Sequence, residues 1–128
     1  MNITEFDKNK YGIEGIGIDT VTTKERTWSN KVTGVQETLI PVGTRVHIDF
    51  SPRKHSNRIF VTVGNEIRIF SIEKASTWLK GFKKMPSITT LSKQANNAKV
   101  KTCLGTNVEP DGWDYHGAPA WTMVLGII

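Results

Sequence analysis

The sequence predicts an α+β fold in which an antiparallel β-meander or small barrel carries a two-helix hairpin and a C-terminal β-hairpin. Apolar and polar residues alternate between positions 44 and 70, which is the two-residue period of half-buried strands. At Ser71 the period changes to the three- and four-residue spacing of helices. The length of 128 residues suits one domain with its own core, so residues 1–128 are expected to form a single domain.

The β-rich part is expected over residues 13–70, after a polar and weakly ordered lead-in at residues 1–12. Ile13–Val21 predicts a first strand and Val35–Ile40 a second, and the polar stretch between them is interpreted as turns. Strands follow on both sides of Gly64-Asn65, a pair that suits a two-residue hairpin turn. Their alternation is expected to point Arg68 outward.

Helical signals occupy residues 71–98. Ser71 is a favourable N-cap for a first helix over about 72–84, and Pro86 ends that helix. Ser87 would cap a second helix over about 87–97. The remaining residues, 99–128, predict a β-hairpin with strands at about 99–104 and 120–127, joined by a long loop with acidic and aromatic residues at 109–119.

Positive charge is concentrated in the middle of the chain. Residues 41–100 contain eleven lysines and arginines but only three acids, whereas the whole chain has a formal net charge of +5. A segregated basic region of this kind indicates a polyanionic partner.

The helical hairpin provides the candidate nucleic-acid-binding residues. Its lysines would contact phosphates, and the polar residues of the second helix would position that helix on the nucleic acid. The candidates are Lys80, Lys83, Lys84, Ser87, Thr89, Thr90, Lys93, Gln94, Asn97, Lys99 and Lys101.

A secondary basic surface is expected on the strands and on the loop at residues 51–56. It would consist of Arg45, Arg53, Lys54, Arg58 and Arg68. Next to Phe60 or Phe70, such a surface would suit single-stranded nucleic acid, because bases stack on aromatic rings. The alternative interpretation is an ordinary solvated sheet face with these phenylalanines in the core.

Residues 84–101 resemble the recognition-helix segment of winged-helix excisionases from phages and mobile elements. The resemblance lies in Lys84-Met85-Pro86-Ser87-Ile88-Thr89-Thr90-Leu91-Ser92-Lys93 and the later Lys99-Val100-Lys101. It implies a DNA-contacting second helix followed by a strand that opens a wing. The C-terminal part, from Val108-Glu109-Pro110-Asp111-Gly112 to the end, is similar to small phage and plasmid proteins of unassigned function.

The sequence contains no recognised catalytic, metal or cofactor motif, so no catalytic residue, metal or cofactor is expected. The acidic positions Glu109, Asp111 and Asp114 are interpreted as turn residues. The one cysteine, Cys103, cannot form an intrachain disulfide, which favours a reducing compartment and the cytoplasm of a host cell. The longest apolar run, Ala118–Ile128, is too short to span a membrane.

These features favour a non-enzymatic accessory protein of a phage or mobile element that binds nucleic acid, with duplex DNA as the expected partner. The alternative is a phage-type inhibitor that binds an acidic or nucleic-acid-binding host protein, such as a defence protein.

Overall fold

A computed structural model describes residues 10–30, 35–64, 66–94 and 96–127. The α+β class with antiparallel sheets is confirmed, and strands predominate. The lead-in expected at residues 1–12 lies mostly outside the described residues. In chain order the elements are β1 (Glu14–Val21), β2 (Arg26–Asn30), β3 (Val35–Ile40), β4 (Arg45–Phe50), β5 (Arg58–Val63), β6 (Glu66–Ser71), a 3₁₀ helix (Ile72–Thr77), α1 (Ile88–Gln94), β7 (Val100–Lys101), β8 (Asn107–Val108) and α2 (Trp121–Val124).

The largest sheet is antiparallel, with the strand order β1-β4-β5-β6. Its strands lie where the alternating pattern places them. One face packs into the core through side chains such as Ile48, Phe50 and Val61, all fully buried. β2 and β3 form a separate antiparallel hairpin, as do the two-residue strands β7 and β8. The turn interpretation of residues 23–34 was therefore wrong for β2, because pairing with β3 outweighs polar composition.

The expected first helix, 72–84, is replaced by the 3₁₀ helix and an extended return to β1. Ser71 caps as predicted, since its hydroxyl accepts from the Glu73 N–H. Beyond Thr77 the chain is instead hydrogen-bonded to the end of β1 and to the residues just after it. The Thr23 N–H donates to the Trp78 carbonyl at 2.8 Å, and the Lys80 N–H donates to the Val21 carbonyl at 3.0 Å. Trp78 and Leu79 are both buried, so burial and pairing with β1 replace helical bonds.

Two further expectations about the second half were wrong. The predicted strand 120–127 is the short helix α2, all four residues of which are buried. An apolar run that is buried on every side has no period by which to distinguish a strand from a helix. The second helix is shorter than the expected 87–97 and covers only Ile88–Gln94. The C-terminal hairpin consists of β7 and β8, and Ala120 joins it by a single bridge to Thr102.

Trp78→Ala is expected to destabilise the fold by about 3–5 kcal/mol, because the ring is only 2% exposed and lies 4.9 Å from the Phe70 ring. Urea denaturation would measure the free energy of unfolding. Tyr115→Ala is the matched control, since that ring is 83% exposed and its removal should change stability little. Equal effects of the two substitutions would contradict the packing described for Trp78.

Candidate nucleic-acid interface

Residues 74–108, the lysine segment, contain seven lysines and no aspartate, glutamate or arginine. All seven are exposed: Lys74, Lys80, Lys83, Lys84, Lys93, Lys99 and Lys101. In the described part of the chain, none of them forms an ion pair with a carboxylate. No described carboxylate therefore pairs directly with these seven lysines.

The fold brings lysines from two distant parts of this segment together. The Lys83 N–H donates to the Cys103 carbonyl at 2.7 Å, which fixes the 80–84 stretch beside the turn of the β7–β8 hairpin. The Lys83 side chain runs past Gly105, where an added Cβ would lie 3.3 Å from its Cε. Lys101 is on the same hairpin, paired with Asn107. Lys83 and Lys101 thus belong to one local surface, although the sequence separates them.

The β7–β8 turn is held by Thr102, a fully buried residue. Its hydroxyl accepts from the N–H groups of Leu104 and Thr106, both at 3.2 Å, and donates to Asp114 Oδ2 at 3.1 Å. Lys101, the lysine carried by this hairpin, therefore adjoins a turn whose backbone is held by hydrogen bonds.

Helix α1 lies on the surface and is anchored by one side chain. Leu91 is fully buried, whereas Ile88 is 63% exposed. The Ser87 hydroxyl accepts from the Thr90 N–H at 3.2 Å and donates to the Thr90 hydroxyl at 2.9 Å, as expected of a cap. All the candidate residues from Lys80 to Lys101 are exposed except Gln94, which is half-buried.

The secondary basic surface is only partly present. Arg45, Arg53, Lys54 and Arg58 are exposed, although Arg53 lies 3.6 Å from a Glu14 carboxylate oxygen. Arg68 does not point outward. It pairs with Val61 across the sheet, which places it on the core face, 6% exposed and 2.6 Å from Glu66 Oε2.

The aromatic rings expected beside this surface are also buried. Phe60 is 1% exposed and Phe70 is 6% exposed, so neither offers a face to a base. The expected stacking platform for single-stranded nucleic acid is therefore not available at these two rings.

His47 forms a cluster that the sequence interpretation missed. Its Nδ1 lies 2.7 Å from Asp19 Oδ1, and its Nε2 lies 3.3 Å from Asp49 Oδ1. The hydrogen bond to Asp49, aided by Asp19 and opposed by burial, raises the pKa of His47 to about 9. The His-x-Asp spacing on β4 could have signalled Asp49, but Asp19 depends on the pairing of β1 with β4.

Gly17 makes this cluster possible. Its φ is +73°, and an added Cβ would lie 2.6 Å from His47 Nε2 and 2.8 Å from Asp49 Oδ1. The raised pKa favours the imidazolium, in which Nδ1–H donates to Asp19 and Nε2 lies beside the Asp49 carboxylate, so both ring nitrogens face a carboxylate. Among the described residues, no three His, Cys, Asp or Glu side chains converge as a metal site.

The loop at residues 113–118 is organised by Asp114, as its interpretation as a turn residue predicts. Asp114 Oδ1 accepts from the N–H groups of His116 and Ala118, both at 2.9 Å. Trp121 is buried, Trp113 is half-buried, and Tyr115 is 83% exposed. Of these three aromatic residues, only Tyr115 is available as a surface anchor.

Comparison with known proteins identifies no relative of this chain: no protein-family model, no curated protein and no solved structure matches it. Among the described residues, no helix has the length and apolar character needed to cross a membrane.

The His47 cluster predicts a loss of stability as pH rises. The folded-state pKa of about 9 exceeds the ordinary value of 6.5, so the contribution is complete below pH 6.5 and declines as pH rises toward 9. Between pH 6.0 and 8.5, unfolding in urea should become easier by about 1–2 kcal/mol, after allowance for solvent screening.

His47→Gln is the control for this pH dependence and should flatten the profile. Burial also raises the pKa of the Cys103 thiol, which weakens the fold only at higher pH, so the upper limit of 8.5 keeps the two effects apart. A parent profile that stays flat over this range would contradict the prediction.

Proposed function

We propose that this protein is a non-enzymatic accessory protein of a phage or mobile element that binds duplex DNA through the lysine segment. The observation that carries the proposal is the run of 35 residues, 74–108, with seven exposed lysines and no acid. Uncompensated like charges repel one another, and a polyanion relieves that repulsion by binding. Duplex DNA carries a dense array of phosphates, and their neutralisation by lysines releases counterions and favours binding.

In this proposal Lys80, Lys83, Lys84, Lys93, Lys99 and Lys101 contact phosphates. The polar residues of α1 and the turn after it, Ser87, Thr89, Thr90, Gln94 and Asn97, position the helix against the duplex. The β7–β8 hairpin follows α1 in the order that the resemblance to winged-helix excisionases implies, but a 3₁₀ helix stands where that family has its first helix. The cytoplasm of the host cell is the compartment in which such a protein would act.

The double variant Lys83→Glu with Lys84→Glu tests this function. It reverses two charges beside the β7–β8 hairpin, so affinity for duplex DNA should fall and the log–log salt slope should become shallower by about one unit per lost contact. Fluorescence anisotropy at two salt concentrations would measure both quantities. The melting temperature would establish that the variant remains folded.

The charge-matched control is Lys24→Glu with Lys10→Glu. Both residues are exposed and lie outside the lysine segment and the secondary basic surface. This pair should weaken binding much less, because only the distant electrostatic attraction changes. Equal losses in the two variants would mean that net charge, and not the lysine segment, governs binding. A folded parent that binds no duplex at low salt would contradict the proposed function.

A second candidate function, inhibition of a host protein, is favoured by the Asp114-organised loop. Tyr115 is 83% exposed on this loop, and the 72% exposed Ile16 lies beside Gly117. Exposed aromatic and apolar residues on a fixed backbone are typical anchors of protein interfaces. The partner would be an acidic or nucleic-acid-binding host protein.

Tyr115→Ala separates this function from DNA binding. If the protein is an inhibitor, the variant should lose most of its affinity for the partner, by tenfold or more on the scale of interface anchors. DNA affinity should be unchanged, because Tyr115 lies outside the lysine segment. Titration calorimetry with the purified partner would measure the loss, and an unchanged affinity would exclude Tyr115 as an anchor.

A further inference from the structure

We infer that the lysine segment binds the phosphate backbone of duplex DNA without reading its base sequence. This inference rests on the proposed function and specifies the ligand of the same surface. Three features of the segment support it. Its cations are lysines and not arginines, the polar side chains of α1 are bonded or half-buried, and the described residues before α1 do not form a helix that would support it in the major groove.

The cations of the segment are all lysines. The five arginines of the chain lie between Arg26 and Arg68, so none falls within residues 74–108. Arginine presents a planar fork that matches two acceptors on guanine, whereas lysine can contact the same acceptors but lacks this rigid geometry. Lysine is a compact point charge that neutralises phosphates equally well on any sequence. The choice of cation therefore favours backbone contact.

The polar side chains of α1 are poorly placed to read bases. The hydroxyls of Ser87 and Thr90 are bonded to each other at the start of the helix. Gln94 is half-buried at the last helical position. Asn97 lies beyond the helix in a turn, where its N–H donates to the Gln94 carbonyl at 2.9 Å. The two candidate amides, Gln94 and Asn97, thus do not lie along an exposed helical face, where they could pair with adenine.

Among the described residues, α1 packs against α2 and is not preceded by the first helix of a helix-turn-helix. In that motif a first helix crosses the DNA backbone and supports the second in the major groove. Here the preceding element is the 3₁₀ helix, whose Ile72 and Ala75 are buried, and residues 78–80 are bonded to β1. α1 has only seven residues, about 10 Å of helix. The described residues therefore offer a surface for phosphates rather than a helix inserted to the depth of the bases.

The test compares duplexes of equal length and unrelated sequence, one rich in A·T and one rich in G·C. Anisotropy titrations at two salt concentrations should give dissociation constants within about threefold of each other. With six lysines on phosphates the log–log salt slope should be about −5. Selection from a randomised duplex pool should enrich no common sequence.

A preference of tenfold or more for one duplex, or an enriched sequence, would overturn this inference and leave the proposed function standing. No binding to any duplex at low salt would overturn both.

A final variant, Gln94→Ala with Asn97→Ala, addresses the amides directly. Any affinity it loses should be lost equally on both duplexes, because backbone contacts do not depend on sequence. A change in the ratio of the two affinities would show that the amides read bases.

Discussion

The return of the chain from the 3₁₀ helix to the end of β1 is the contact on which the rest of the architecture depends. Trp78 and Leu79 are buried there, and Leu79 bridges to Thr22. The segment after one edge strand of the main sheet, β6, thereby pairs with the opposite edge strand, β1. The chain then runs along the edge of the core, with Phe82 buried and Lys80 and Lys83 on the surface.

The positive charge of the chain is unevenly distributed. Seven exposed lysines fall within 35 residues, and in the described part of the chain none of them forms an ion pair with a carboxylate. By contrast, three carboxylates elsewhere have partners within the fold. Asp114 accepts a hydrogen bond within its loop, and Asp19 and Asp49 form ion pairs with His47. Among the residues that the structure describes, these three carboxylates have protein partners, whereas the seven lysines have no carboxylate partner.

The exposure of a candidate site residue was predictable from the sequence where it follows from the polarity of the side chain alone. Lysine is rarely buried, so the exposure of the lysine segment could be anticipated from composition. Arg68 could not be placed in this way, because a strand presents alternate residues to opposite faces and the register with β5 assigns it to the core face. The His47 cluster depends likewise on the register of β1 against β4, which local sequence does not specify.

By itself, the sequence determined the strands of the main sheet, the Ser71 and Ser87 caps, and the concentration of positive charge, because these depend on local periodicity and residue chemistry. Only the tertiary structure decided that residues 78–80 join β1 instead of extending a helix, and that Trp121–Val124 is helical. It also brought Lys83 beside the β7–β8 hairpin. These outcomes depend on backbone partners and burial supplied by residues far away in the chain, and no local pattern encodes them.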